Sequence, residues 1–205
     1  MSAPSILRSR PKIVWRWRVV DIVVAAVIGV AAGVVFLAWN FGYQGPSNLL
    51  TPILPGLQGL TSGPWLFAGV LGGLVIRKPG AALFVEIVAA FFSMLFGAQW
   101  GVDTLVSGVL QGLGAELIFA VFLYRSFGIA VAVLAGGAAG LLEVPHELIA
   151  YYPGSSAIFV AVFTISLVLS GAVVAGVGSW LIARGLAATG ALSRFASGRQ
   201  QVADV

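Results

Sequence analysis

Polar positions along this chain are few. They fall in clusters that cut the sequence into apolar runs, several of which reach the roughly twenty residues a helix needs to cross a bilayer. The runs predict six helices: Val19 to Phe41, Pro64 to Ile76, Pro79 to Phe96, Asp103 to Tyr124, Phe127 to Ala150, and Ala157 to about Ala188. Pro79 stands in the first turn of the third, where a missing backbone donor is tolerated. The second is short for a span. Between the first two, GYQGPSNLLTPILPGLQGLTSG carries prolines and glycines that break any continuous helix. The resulting 43–62 loop is long for so compact a domain, and loops of that length often serve as lids.

Composition agrees with this pattern. A chain of 205 residues that is 60% hydrophobic and 9% charged, with a mean hydropathy of +1.04, is an all-α integral membrane protein rather than a water-soluble globule. With no cysteine there is no disulfide and no thiolate metal site. The opening MSAPSILRSRPKIVWRWR is basic but lacks the short apolar core and small-residue cleavage site of a signal peptide.

The net charge of +4 could suggest nucleic acid, but its placement points to the lipid bilayer and excludes that partner. Six spans with both termini on one side collect Arg8, Arg10, Lys12, Arg16, Arg18, Arg77, Lys78, Arg125, Arg184, Arg194 and Arg199 on a single face. By the positive-inside rule that face is cytoplasmic, in a multi-pass protein of the cell membrane. The expected organisation is a basic cytoplasmic segment over 1–18, a membrane domain over 19–188, and a loosely ordered cytoplasmic tail over 189–205. Asp103, Glu143 and Glu147 fall on the outer side with no lysine or arginine beside them, so an outer pocket there attracts cations.

Two acids interrupt apolar runs. In hydrocarbon an ionisable side chain is costly and turns to the bundle interior, so Glu86 and Glu116 read as structural buried acids or as transport groups. By helical rise Glu86 lies roughly 9 Å beyond Gly80 and Glu116 roughly 12 Å before Tyr124. An antiparallel hairpin would set them at similar depth, able to share a proton or a partner. In the first helix Ala25, Gly29 and Gly33 form a smooth stripe for close helix approach, either within the protein or as a docking face for a partner.

Candidate binding residues follow from polarity and periodicity. Asp103, Ser107 and Gln111 recur every fourth residue and form one strip descending from the outer surface, with Gln111 directed to an outer cavity. Glu143, His146 and Glu147 share a face that Gly136 and Gly140 continue inward, and Pro145 frees backbone carbonyls nearby. Carboxylates there can accept hydrogen bonds and offset a cationic charge. Trp39, Asn40, Tyr43, Gln44, Trp65, Trp100, Tyr151 and Tyr152 gather at the outer boundary. Such residues commonly form an interfacial belt. Trp39, Asn40, Tyr43 and Tyr151 are also placed to hold a flat heterocycle.

The chain has no GxxxxGK[ST], HExxH or GxSxG, and His146-Glu147 lacks a second histidine. It is not an ATPase or hydrolase by itself, and neither a metal nor a cofactor is expected.

RKPGAALFVEIVAAFF, the LFGAQWG turn and QGLGAELIFAVFLYR together resemble the YkoE family, the substrate-binding S components of energy-coupling factor transporters assigned to thiamin and its hydroxymethylpyrimidine precursor. The resemblance covers about residues 15 to 185, and its most specific parts are Lys78 to Gly80 and Gln111 to Glu116. It implies a six-helix S-component bundle that captures a vitamin outside the cell. It also implies a transmembrane coupling protein and two ABC ATPase domains as partners, with Ala25, Gly29 and Gly33 docking on the coupling protein. Two rivals stand beside it. One is a self-sufficient proton-coupled secondary transporter of a small organic cation, working through Glu86 and Glu116; the other is a structural membrane anchor.

Overall fold

The computed structural model describes residues 16–193 together with Phe195, Ser197 and Gly198. Arg8, Arg10, Lys12, Arg194 and Arg199, and with them most of the basic N-terminal segment, lie outside the described residues. Every regular element among the described residues is helical: α1 (Val19–Gly42), α2 (Gln44–Leu50), α3 (Phe67–Ile76), α4 (Ala81–Leu95), α5 (Asp103–Val121), α6 (Ile129–Ala150) and α7 (Ala157–Ala188). Four of them, α1, α5, α6 and α7, are long and apolar enough to cross a membrane, while α3 and α4 are shorter apolar helices.

The bundle is built around α3. Every residue from Ala68 to Ile76 is buried, as expected of a helix apolar on all sides. One apolar cluster joins α3 to α1 and α4, and a second joins it to α5, α6 and α7. Glycines set the spacing: a Cβ on Gly72 would lie 2.5 Å from Val85 Cγ2, and one on Gly114 would meet the Ala138–Ala139 backbone of α6. In α7 the Gly171–Val177 stretch is wound as a π-helix, and Gly136 and Gly171 there bring the α6 and α7 backbones into direct contact.

The second span departs from the expected Pro64–Ile76 helix. Two 3-10 turns, Leu57–Thr61 and Gly63–Trp65, lead into α3. Gly56, Gly59 and Gly63 press in succession onto Phe163, Leu167 and Val174 of α7. Half of the long loop is therefore a strap inserted beside a spanning helix. Irregular backbone is tolerated there because distant side chains satisfy it. Ser170 Oγ accepts from Gly63 N at 2.9 Å and donates to Leu60 O at 2.5 Å. Trp39 Nε1 donates to Thr61 O at 2.9 Å, and Ser179 Oγ to Phe67 O at 3.0 Å. Only residues 44–55 remain peripheral, all of them exposed or half-buried.

Other boundaries shift for local reasons. α4 starts at Ala81, not Pro79, because Gly80 takes φ +83° at its N-cap. α5 ends at Val121 because Leu123 and Tyr124 adopt positive φ.

The Ala25, Gly29 and Gly33 stripe is not available to a partner. All three residues are buried, and a Cβ on Gly29 or Gly33 would lie 2.6 Å from Val88 Cγ1 or 2.8 Å from Phe92 Cβ. The stripe lets α1 pack onto α4. The tail differs too: Leu192 and Phe195 are buried in the α1–α3–α4 cluster, and Ser197 Oγ donates to Val75 O at 3.0 Å.

Candidate ligand-binding recess

All the described arginines and Lys78 lie at one end of the bundle, where α1 and α4 begin and α3 and α5 end. Asp21 is fully buried there between Arg18, at 2.8 Å, and Lys78. Lys78 Nζ also donates to Arg16 O at 2.6 Å, and Trp17 Nε1 to Pro79 O at 3.0 Å. The Lys78–Gly80 turn is thereby tied to α1.

Both interior acids serve helix N-termini, whose first amides lack intrahelical acceptors. Glu116 accepts from Gly80 N at 2.6 Å and Ala82 N at 2.9 Å, and from Tyr124 Oη at 2.6 Å. Burial, with Glu116 next, pushes the Tyr124 hydroxyl above its ordinary value, so it stays a donor. Glu86, fully buried, accepts from Gly69 N at 2.6 Å in the first turn of α3. Among the described residues the two acids therefore bond different groups rather than one another, Glu86 an amide of α3 and Glu116 amides at the start of α4.

The opposite end carries a recess enclosing about 600 Å³ of empty space, its open mouth included. One wall is aromatic. Trp65 and Trp100 line it, with ring centroids 5.4 Å apart at 89°. Tyr43 packs against both, at 5.1 and 5.7 Å, and Trp39 backs Trp65 at 6.3 Å. Asn40 on α1 fixes this wall by accepting from Trp65 Nε1 at 2.8 Å and donating to Ser93 Oγ of α4 at 3.0 Å.

Another part of the lining is polar. Thr104, Ser107 and Gln111 of α5 line it with Glu143 and Glu147 of α6 and Tyr151. Glu143 Oε1 lies 3.0 Å from His146 Nδ1, and His146 Nε2 lies 3.1 Å from Asp103 Oδ1. Tyr151 Oη donates to Asp103. Burial, followed by that bond, raises the Tyr151 hydroxyl above its ordinary range. Three buried side-chain oxygens meet no donor among the described residues, and two of them, Glu143 Oε2 and Thr104 Oγ1, belong to residues lining the recess. A buried carboxylate oxygen without a donor is costly unless something arrives to supply one.

Of the residues predicted from sequence, Asn40, Gln111, Glu143, Glu147 and Tyr151 line the recess. Trp39, Tyr43 and His146 stand behind that lining and orient it. Sequence reasoning placed Trp65 and Trp100 only in the interfacial belt and missed Phe36, Ser93 and Thr104, which also line it. Ser93 left a signal, the lone polar residue between Phe92 and Met94.

Residues 20–142 match the model of a family described as the permease component of the ABC-type cobalt transport system. The chain is 32% identical over 195 residues to the putative HMP/thiamine permease protein YkoE of Bacillus subtilis (strain 168), covering 90% of this chain and 92% of that protein. It belongs to the YkoE family. A crystal structure of an S-component of an ECF transporter superposes with a TM-score of 0.78 at 28% identity, covering 92% of this chain and 95% of that one. The chain therefore has the S-component fold and is a membrane transport subunit of the YkoE family, not an enzyme. The two most specific parts of the sequence resemblance are joined at the basic end, where Glu116 of QGLGAE caps α4 at Gly80 of KPG.

Proposed function

We propose that this S component captures thiamin or its hydroxymethylpyrimidine moiety from outside the cell, for uptake driven by ATP hydrolysis in partner subunits. The observation that carries the reading is Glu143 Oε2, a buried carboxylate oxygen without a donor, on a residue that lines the same recess as Trp65 and Trp100. A flat aminopyrimidine stacked on that wall brings an amino donor to the carboxylate, and Gln111 and Asn40 add amide groups. Glu147 and Asp103 offset a thiazolium charge. The name of the Bacillus subtilis relative supports the same chemistry.

In this reading all six apolar segments cross the bilayer, counting the strap with α3 as one. The basic end with both termini is then cytoplasmic and the recess opens outward. A transmembrane coupling protein and ABC ATPases complete the transporter.

The test is thermal unfolding of the detergent-purified protein. A ligand at about 100 times its Kd stabilises the native state by about 2.7 kcal/mol. Thiamin, hydroxymethylpyrimidine or both should raise Tm. Absence of any shift with either removes the substrate assignment.

A further inference from the structure

His146 is the single histidine of the chain, and it is held between carboxylates from two helices. Its Nδ1 is 3.0 Å from Glu143 Oε1 on its own helix, and its Nε2 is 3.1 Å from Asp103 Oδ1 on α5. A neutral imidazole has one N–H, whereas both of these neighbours are acceptors when ionised. Only the imidazolium donates to both, through two charge-assisted bonds.

The other groups around the ring do not change this count. Ser107 Oγ stands 3.5 Å from Nδ1 and also bonds the Glu143 carboxylate, and the Tyr151 hydroxyl is bonded to Asp103. Glu147 lines the recess one residue along α6, with Tyr43 and Tyr152 the nearby phenols. Glu86 of α4 is within electrostatic reach of Glu143 and accepts from Gly69 N. No second cation faces the cluster among the described residues: Arg16, Arg18, Arg77, Lys78, Arg125 and Arg184 all belong to the basic end.

We propose that His146 is the specificity-determining residue of the recess, deciding between neutral and cationic ring ligands. As an imidazolium it cancels one carboxylate charge and steadies Glu143, leaving Oε2 as acceptor for a neutral pyrimidine. When it gives its proton to solvent, one N–H and the hydrogen bond it made to a carboxylate are lost, and the recess becomes more negative by one charge, which favours a thiazolium. One charge acting across about 12 Å at an effective dielectric constant of about 20 corresponds to about a tenfold change in relative affinity. The inference rests on the ring-binding reading above.

Two measurements on the full chain test it. In protein labelled with 15N-histidine, the lone ring should show both nitrogens protonated at pH 6 and lose one proton at a defined higher pH. Kd for thiamin and for hydroxymethylpyrimidine is then measured on either side of that pH. The ratio of pyrimidine Kd to thiamin Kd should rise about tenfold as the ring is neutralised. In His146→Gln it should be flat with pH and set near the high-pH value. A ring already neutral at pH 6 overturns the inference, and so does an unchanged ratio across its titration or an equal rise in His146→Gln. Absence of binding by both ligands at every pH sinks the ring-binding reading instead, and the ring spectrum still decides whether His146 carries the charge.

Discussion

At the scale of single residues, the recess depends on polar side chains holding one another in place. Asn40 joins the indole of Trp65 to the hydroxyl of Ser93. Replacing it with alanine leaves both without that partner, and a buried polar group so stranded, as Ser93 would be, costs about 1–3 kcal/mol. Asn40→Ala should therefore lower Tm and weaken thiamin and the neutral pyrimidine together, since the aromatic wall serves both. Glu143→Gln acts differently. It keeps the side-chain shape but removes a charge and places an amide where an acceptor stood. Thiamin binding, read by calorimetry, should weaken about 10- to 100-fold, consistent with ~1.5–3 kcal/mol for a charge-assisted bond, and more than that of the neutral pyrimidine. Equal losses for both ligands would refute charge matching at this position.

At the scale of elements, the strap over residues 56–66 is the unusual part, because much of its backbone bonding comes from other segments. Ser170 serves two of its polar groups, Gly63 N and Leu60 O. Ser170→Ala should destabilise the protein by about 1–3 kcal/mol and weaken ligand binding, since Ser62 and Trp65 line the recess from this strap. Unchanged Tm and affinity would mean that Ser170 is not what holds the strap. At the α1–α4 contact, Gly33→Leu forces a side chain into the backbone and ring of Ala89 and Phe92, and it should lower Tm in the isolated protein with no partner present. That outcome separates internal packing from docking, because an outward stripe would tolerate leucine.

The same elements show what could be read from the sequence. α1, α5, α6 and α7 were legible to within a few residues because a spanning helix satisfies its own backbone and needs only apolar length. The strap was not, because no local pattern reveals that Ser170, more than 100 positions away, will accept from its amide. A stripe of small residues looks the same whether the helix that fills it is internal or foreign, which is why Ala25, Gly29 and Gly33 pointed in two directions. Glu143 and Gln111 stood out as polar residues in apolar runs. Trp65 and Trp100 did not, since tryptophan at a membrane interface is common enough to hide a binding wall. Glu86 and Glu116 were legible as groups needing a partner, yet the partners are amides of helices that begin inside the protein.

At the scale of the whole molecule, the charge layout sets direction. The described cations lie at the end where α1 and α4 start, and the recess lies at the other, so one choice of orientation decides whether the recess can capture anything from outside. The chain contains no cysteine, so a single introduced thiol reports its own side of the membrane without background. Arg125 and Thr51 are both exposed and belong to opposite ends, the first following α5 and the second following α2. In intact cells, Thr51→Cys should react with a membrane-impermeant maleimide, and Arg125→Cys should react only after the membrane is opened. Reversal of the two patterns would place the recess on the cytoplasmic side. The aromatic wall and Glu143 could then still bind a ring, but uptake by capture from outside would be ruled out, whatever the protein's affinity for thiamin.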